Sequence, residues 1–333
     1  MRADVFLVEG GHAATRSQAQ RLIAAGVQWR LAPTLPWNKV AKNGDDIPDC
    51  AELQLLDAAE AKYLSRGGLK LEGALAATGV QVAGLRCLDV GQSTGGFTDC
   101  LLQAGAAQVI GVDVGQGQLH ERLRADPRVI GVEGLNARHL TPEALQDACE
   151  EALCERVEAH PEDNETAPEA PYAWMRNGGL IDDDYDDSAD AKEHEIEAFK
   201  SERAAKARER AEGKLATVRK RLAGREADDI TPVFDLITGD LSFISLTLVL
   251  PALVPLLKAG GELLMLVKPQ FELQPGQVGK GGIVRDASLF PQVEQRLREA
   301  CAQAGLQVLG WHDSAIAGGD GNREFFIHAR RAA

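Results

Sequence analysis

Apolar positions at helical spacing dominate the first 60 residues. One apolar helix face falls at Ala19, Leu22 and Ile23. Thr15 precedes this face as a cap and Gly26 ends it, so we predict a helix here, a shorter helix before it and a turn at residues 10–11. Short β segments are expected around residues 27–31 and 52–56. The polar positions that face solvent on the second helix are Arg16, Gln20 and Arg21.

Beyond residue 80 the pattern changes to short apolar runs that alternate with helical segments. These runs cover residues 87–90, 108–112, 129–132, 234–238 and 261–267. Such alternation predicts a doubly wound, mostly parallel, Rossmann-like α/β sheet. The stretch "AKYLSRGGLKLEGAL" joins the two regions, and a helix is expected to begin near Leu69.

Residues 150–230 interrupt this alternation between the third and fourth predicted strands. The stretch carries about 23 acidic and 13 basic residues, and so about ten of the 14 excess negative charges of the chain. Its first part is rich in Pro and acids and predicts disorder. Its second part is rich in Lys, Arg, Glu and Ala and predicts a solvated helix. We interpret the stretch as an insertion into a crossover connection, where extra length is tolerated.

The remaining features indicate the domain plan and the compartment. We predict a small α+β domain over residues 1–60 and a larger α/β domain over residues 61–333 that contains the insertion. Six cysteines are scattered without a CxxC pair, and neither a long apolar run nor an apolar leader occurs. We therefore expect a cytoplasmic protein with free thiols and no membrane span. The seven histidines lack metal-ligand spacing, and no metal is predicted.

The stretch "LDVGQSTGGFTDCLL", residues 88–102, combines an apolar strand end, a turn rich in Gly, Ser and Thr, and an apolar helix start. Backbone N–H groups and a helix N-terminus hold ligands at such a turn. The turn lacks the Gly-Lys-Ser/Thr of a P-loop and the spacing of Gly-x-Gly-x-x-Gly. An acid about twenty residues on, Asp113, suits ribose hydroxyls, so the pattern favours S-adenosylmethionine over a tight turn without a ligand.

The residues predicted to bind this cofactor are Asp89, Gly91, Ser93, Thr94, Gly95, Gly96, Phe97, Asp113 and Asn136. Four polar residues on separate segments are the predicted catalytic residues: Lys70, Asp240, Lys268 and Glu324. Asp240 and Lys268 follow predicted strands, and the carboxyl ends of strands line the ligand crevice in such sheets. Any one of the four alone is more often a surface lysine or a cap, whereas four in matching contexts indicate one site.

The N-terminal region resembles the S4 RNA-binding domain in the stretch "TRSQAQRLIAAG". This resemblance covers about fifty residues and implies RNA binding by the second helix; a solvated basic helix face is the alternative. The sequence departs from the S4 pattern after Val27, where a longer segment replaces a short turn. The residues expected to contact RNA are Arg16, Gln20 and Arg21, with Lys39 and Lys42 as substitutes for the basic contacts of the later loop.

The order Lys–Asp–Lys–Glu resembles that of the FtsJ-like ribose 2′-O-methyltransferases. Together with "LDVGQSTGGFTDCLL", "DLSFISL", "KPQFE", "VGKGGIVRD" and "GNREFF", it makes the chain similar to the TlyA family, whose members were once called haemolysins. The resemblance covers nearly the whole chain except the insertion. It implies methyl transfer from S-adenosylmethionine to a ribose 2′-hydroxyl of ribosomal RNA, at cytidine, with ribosomal RNA or ribosomal subunits as partner.

A ribose 2′-hydroxyl holds its proton at neutral pH, so an enzyme must align the oxygen with the methyl group and remove the proton. We expect Lys268 to accept or orient this proton, Asp240 to place Lys268, and Lys70 and Glu324 to fix the ribose. A catalytically silent assembly factor and a membrane-lytic haemolysin are the other classes, and the lack of an amphipathic apolar helix disfavours the second. A pseudouridine synthase with an S4 domain should lack the turn at residues 89–96.

The stretch "FELQPGQVGKGGIVRD", residues 271–286, is a candidate substrate lid. It is rich in glycine and carries two cations, Lys280 and Arg285. A merely flexible surface loop is the alternative.

Overall fold

The computed structural model describes residues 1–13, 15–56, 62–159 and 229–332. The chain divides into two compact units, Met1–Cys149 with Asp229–Ala333 as the first and Glu150–Asp228 as the second. Residues 160–228, most of the predicted insertion, lie outside the described residues. The predicted disorder and solvated helix of that stretch, and the predicted domain boundary near residue 60, therefore stay predictions.

The N-terminal residues form two helices and a small antiparallel sheet. Helix α1 covers Ala3–Glu9 and helix α2 covers Arg16–Gly26. The hydroxyl of Thr15 accepts a hydrogen bond from the backbone N–H of Gln18 at 3.2 Å, which confirms the predicted cap of α2. The strands, in the sheet order β2-β1-β3, are β1 (Val27–Arg30), β2 (Asn38–Lys39) and β3 (Glu52–Leu55). Their shared core contains Leu7, Ala19, Leu22, Ile23, Val27 and Ile47.

Seven strands form the central sheet, in the order β6-β5-β4-β7-β8-β10-β9. Neighbours from β6 to β8 pair in parallel, and β10 pairs antiparallel with both β8 and β9. The strands are β4 (Arg86–Val90), β5 (Gln108–Asp113), β6 (Val129–Glu133), β7 (Phe234–Gly239), β8 (Leu257–Val267), β9 (Leu306–Asp313) and β10 (Phe325–Arg331). The mostly parallel α/β sheet and its five predicted strands are confirmed, although β8 begins earlier than predicted. The two antiparallel strands, β9 and β10, were not predicted.

The helices of the sheet region are α3 (Arg66–Thr78), α4 (Gly96–Gln103), α5 (Glu121–Arg124), α6 (Pro142–Ala159), α7 (Leu250–Leu253), α8 (Pro269–Glu272) and α9 (Phe290–Gln303). Helix α3 begins before the predicted Leu69. The rings of Phe97 on α4 and Phe326 on β10 stack with their centroids 6.2 Å apart, inside a core shared by both helices α3 and α4 and the sheet. Within the described ranges, no helix is long and apolar enough to cross a membrane.

The segment before α3 is held on both sides. The side-chain amide of Gln18 on α2 donates a hydrogen bond to the carbonyl of Tyr63 at 2.8 Å, in a buried position. The backbone N–H of Leu64 donates to the carboxylate of Asp99 on α4 at 2.9 Å. Because both bonds are buried, this connection is fixed between α2 and the helix that follows the glycine-rich turn.

Arg86, the first residue of β4, holds the segment that leads into β7. Its guanidinium donates hydrogen bonds to three consecutive odd-numbered carbonyls, those of Asp229, Thr231 and Val233, at 2.7 to 2.9 Å. Its backbone N–H donates to the carboxylate of Asp235 at 2.9 Å. The start of β7 is therefore anchored to its neighbour β4 by side-chain bonds as well as by the ladder.

The strand order brings several chain segments to one edge of the sheet. The carboxyl ends of the parallel strands β4, β5, β7 and β8 meet there, and the amino end of β10 joins them because β10 runs in the opposite direction. Phe325 pairs with Val267, so Glu324 lies beside Lys268. We call this edge the carboxyl edge.

Candidate active site

The glycine-rich turn after β4 contains residues with positive φ angles, which favour glycine. Gly91 and Gly95 have φ angles of 84° and 93°, and Ser93 has a φ of 46°. A Cβ on Gly91 would lie 2.7 Å from the carbonyl oxygen of Asp240, so the turn and the residue after β7 approach too closely for any side chain. Helix α4 then begins at Gly96.

Asp89, the second-last residue of β4, is completely buried. One of its carboxylate oxygens accepts the hydroxyl of Thr98 at 2.7 Å, and Thr98 in turn receives the amide of Gln92 at 2.9 Å. The other oxygen has no hydrogen-bond partner within the described residues. Burial raises the pKa of Asp89 to about 7. A buried carboxyl with a free oxygen beside an N–H-rich turn suits a ligand that brings a positive group.

Asp113 ends β5 next to this turn. Its two carboxylate oxygens accept the backbone N–H groups of Ser93 and Gly115, each at 2.7 Å. Glu133 at the end of β6 accepts the N–H groups of Gly117 at 2.7 Å and of the following residue at 3.3 Å. The acids at the ends of two neighbouring strands therefore shape one cradle.

The predicted cofactor residues take different places around this cradle. Those from Asp89 to Phe97 form the turn and the first residues of α4, and Asp113 closes it. The side chain of Asn136 accepts the N–H of Arg138 at 3.0 Å and caps a short 3₁₀ turn after β6. Its role toward a ligand stays a prediction.

The four predicted catalytic residues come together at the carboxyl edge. The ammonium of Lys70 on α3 lies 2.7 Å from Glu324 Oε2 and 3.9 Å from Asp240 Oδ2. The ammonium of Lys268 lies 2.5 Å from Asp240 Oδ1. Two lysines and two acids thus alternate in one chain of charges, Lys268–Asp240–Lys70–Glu324. Their role in catalysis stays a proposal.

The two ends of this charge chain differ in their surroundings. Glu324 and Lys70 are buried, and burial raises the pKa of Glu324 while the attraction of Lys70 opposes that rise. Lys268 is partly exposed, and its ammonium also donates to the hydroxyl of Ser242 at 2.9 Å. A lysine ammonium has three donors, so one remains for a ligand in the crevice.

An exposed aromatic residue, Phe243, follows the residue that contacts Lys268. Phe243 follows Ser242 directly, is 91% exposed and has a φ of 63°, a region that non-glycine residues rarely adopt. Its ring lies 5.1 Å from that of Phe271 on α8, between centroids. An aromatic residue held exposed in a strained backbone offers a flat apolar surface beside the charged groups.

The predicted RNA contacts on the N-terminal helices are not equivalent. Arg16 donates at 2.8 Å to the carboxylate of Asp4, which is fully buried and also receives Arg2. Arg21 donates to the carbonyl of Ser17 at 3.2 Å. Gln20, Lys39 and Lys42 are exposed. Arg16 therefore has a structural contact that the sequence did not indicate, in addition to any contact with RNA.

Several supporting residues were missed in the sequence. Ser242 lies within the quoted stretch "DLSFISL", and Glu133 occupies at β6 the place that Asp113 occupies at β5, so both had a recognisable signal. Gln92 and Thr98 had none, because their contact with Asp89 depends on the path of the turn. Among the described residues, no three His, Cys, Asp or Glu side chains are placed to hold a metal ion.

Comparisons with known proteins identify relatives of this chain. Residues 63–331 match the sequence profile of the family described as FtsJ-like methyltransferase. The 16S/23S rRNA (cytidine-2′-O)-methyltransferase TlyA of Mycobacterium tuberculosis (strain CDC 1551 / Oshkosh) is 36% identical over 99% of this chain and 89% of its own length. Hemolysin A of Brachyspira hyodysenteriae is 28% identical over 98% and 99%. A hemolysin-named structure from Streptococcus thermophilus is 30% identical, with a TM-score of 0.58 over 100% of this chain and 88% of that one.

Proposed function

The chain belongs to the FtsJ-like methyltransferase family and to its TlyA group, and on that premise we propose that it methylates a ribose 2′-hydroxyl of ribosomal RNA at cytidine. The observation that carries this proposal is the alternating chain of Lys268, Asp240, Lys70 and Glu324 at the carboxyl edge. The name and substrate of the relative from Mycobacterium tuberculosis support the same substrate class.

S-adenosylmethionine fits the cradle beside these residues. The unpartnered oxygen of Asp89 suits the ammonium of its aminoacyl end, and the acid at Asp113 suits the ribose hydroxyls. The close approach of Gly91 to Asp240 brings this cradle against the charge chain. When bound, the cofactor supplies an electrophilic methyl group, which needs no activation of the leaving group.

The side chains of this protein then have to orient one oxygen and remove one proton. We assign to Nζ of Lys268 the role of taking up the proton of the 2′-hydroxyl, and to Asp240, 2.5 Å away, the role of placing Nζ and stabilising the ammonium that forms. Ser242 fixes the direction of the lysine side chain. Lys70, held by Glu324, donates to the ribose and keeps the oxygen in line with the methyl group.

Exposed groups outside the charge chain support an RNA substrate. The ring of Phe243 offers a surface on which a base can stack. Lys39 and Lys42 are exposed, and they follow the stretch at residues 15–26 that resembles an S4 domain. We propose that these cations bind the phosphate backbone of the same RNA.

The test is methyl transfer from radiolabelled S-adenosylmethionine to purified ribosomal subunits, followed by mapping of 2′-O-methylated positions. We expect label at a cytidine ribose, and labelling about 10²–10⁴-fold slower with Lys268→Ala. Tight binding to subunits without any transfer would instead support a silent assembly factor. Leakage of dye-loaded liposomes in the absence of transfer would support the haemolysin class.

A further inference from the structure

The glycine-rich loop after α8 is pinned to the strand end that carries Glu324. The buried side chain of Asn322 accepts the backbone N–H of Val284 at 2.9 Å and donates to the carbonyl of Gly282 at 2.9 Å. The same amide donates to the carboxylate of Asp320 at 2.7 Å. A single buried side chain thus satisfies two backbone groups of the loop, which is the opposite of a loop without fixed contacts.

These contacts place the loop at the rim of the charge chain. Asn322 lies two residues before Glu324, and Gln270 lies two residues after Lys268. The side chain of Gln270 donates a hydrogen bond to Asp320 at 3.2 Å. The hydrogen bonds of Asn322, Asp320 and Gln270 therefore connect two segments that each carry a predicted catalytic residue. The loop therefore borders the crevice in which a substrate ribose would lie.

The loop Gly279–Asp286 carries two cations and one carboxylate, Asp286, and so a net positive charge. Lys280 and Arg285 are both exposed, and no carboxylate in the described part of the chain forms an ion pair with either. Gly281 and Gly282 have φ angles of 79°, and a Cβ on either would meet open space. In a chain with a net charge of −14, two free cations beside the site are a local exception.

We infer that the loop Gly279–Asp286 is a second RNA-backbone contact, in which Lys280 and Arg285 bind phosphates that flank the methylated nucleotide. This inference rests on the proposed function and adds to it. Lys39 and Lys42 near the N-terminus would bind the RNA backbone, whereas the pinned loop would fix the register of the target ribose. Phosphate contacts set position without reading sequence, which suits this task.

The experiment compares Lys280→Gln with Arg285→Gln, combined in one variant, against the wild-type chain. Binding to the rRNA substrate is measured at several salt concentrations, and methylation is measured under steady-state conditions. We expect KM for RNA to rise about tenfold and kcat to change less than about twofold. The plot of the logarithm of the RNA association constant against the logarithm of salt concentration should become less steep by about 1.5, because two phosphate contacts are lost.

The matched control removes the same charge at the other edge of the sheet. Lys258→Gln with Arg330→Gln changes two exposed cations whose partners are Asp235 and Glu262, and it should leave the salt slope unchanged. An unchanged slope in the loop variant, or a loss confined to calorimetric affinity for S-adenosylmethionine, would overturn the inference. Failure of methyl transfer by the wild-type chain would refute the proposed function, whereas the binding slope tests the loop without turnover.

Asn322 provides a second, independent test as a positioning residue. If it acts through the loop, adding Asn322→Ala to the loop double variant should weaken RNA binding no further, although Asn322→Ala alone weakens it. Additive losses would mean that Asn322 affects RNA binding by another route, and the pinned-loop inference would then be wrong.

Discussion

The ammonium of Lys70 and the carboxylate of Glu324 form an ion pair of 2.7 Å in which both side chains are almost fully buried. Helix α3 supplies one partner and the residue before β10 supplies the other, from opposite ends of the α/β region. A buried pair of this kind is poor evidence of net stabilisation, because the desolvation of two charges offsets their attraction. Removal of Lys70, however, leaves the buried carboxylate of Glu324 without its cation, and removal of Glu324 leaves the buried Lys70 with only Asp240, at 3.9 Å.

We therefore predict that Glu324→Leu lowers the free energy of unfolding by about 3–5 kcal/mol and abolishes methylation. Lys70→Met with Glu324→Leu should recover most of the stability and none of the activity, because no uncompensated charge is then buried. Urea unfolding and methyl-transfer assays on the three proteins measure this. Recovery of activity in the double variant would show that the pair is structural only.

A variant of Lys268 separates proton transfer from attraction of the RNA. Lys268→Ala should lower the single-turnover rate by about 10²–10⁴-fold at saturating RNA and cofactor. Lys268→Arg should restore little, because a guanidinium stays protonated and is too wide for the space between Asp240 and Ser242. Lys258→Arg, at the other end of the same strand, is the control. A Lys268→Arg enzyme near the wild-type rate would remove this residue from the chemistry.

Substitution of Asp113, at the end of β5, should weaken cofactor binding and leave RNA binding unchanged. Asp113→Ala removes the acceptor of two backbone N–H groups that shape the turn. We expect the calorimetric affinity for S-adenosylmethionine to fall at least tenfold, a loss of about 1.4 kcal/mol, with RNA binding unchanged. Asp147→Asn on the exposed face of α6 is the matched loss of one carboxylate. Unchanged cofactor affinity would refute the assignment of Asp113.

Asp89 makes stability without the cofactor depend on pH. Its pKa in the folded protein is raised to about 7, so the folded chain binds more protons than the unfolded chain between about pH 4 and pH 7. The free energy of unfolding should therefore fall as pH rises through this window, by at most about 4 kcal/mol. Urea midpoints at pH 5 and pH 8 should differ less in Asp89→Asn than in the wild type. Equal differences in the two proteins would contradict the assignment.

Substitutions of the N-terminal cations should have different effects, because the cations have different contacts. Lys39→Glu with Lys42→Glu should weaken binding to ribosomal subunits and spare both the melting temperature and cofactor affinity. Arg16→Ala should lower the melting temperature, because Arg2 and Arg16 together hold the pKa of the buried Asp4 below its usual range. This stabilisation is present at neutral pH and lost as pH falls below about 4. A double lysine variant that binds subunits normally would show that this face is not the RNA anchor.

The buried parallel strands of the sheet could be predicted from the sequence, whereas the exposed edge strand could not. The strands that were predicted, such as β5 (Gln108–Asp113), are continuous apolar runs, which buried parallel strands require. Strand β9 escaped prediction because it lies at the sheet edge and only Leu306 in it is buried. Its apolar and polar residues do not alternate cleanly, so no period marks it.

The residues of the candidate site could be predicted from the sequence, whereas the contacts between them could not. Each catalytic candidate stood in a local motif that the sequence displays, and their meeting followed from strand order. The sequence did not show which acid pairs with which lysine. Whether Lys70 lies closer to Glu324 or to Asp240 depends on side-chain directions that the packed core sets. The bonds of Asn322 to the loop at Gly282 are likewise long-range contacts without a local signature.

The anchoring of the start of β7 by Arg86 has a consequence for how this protein can evolve. The register of β7 is set by carbonyls that come after residue 228, so residues gained or lost upstream of Asp229 do not shift the strand. A slip of one residue would turn every side chain of β7 to the opposite face and put Gly239 where Asp240 stands. We therefore expect that residues inserted or deleted before Asp229 leave the positions of Asp240 and its partners unchanged.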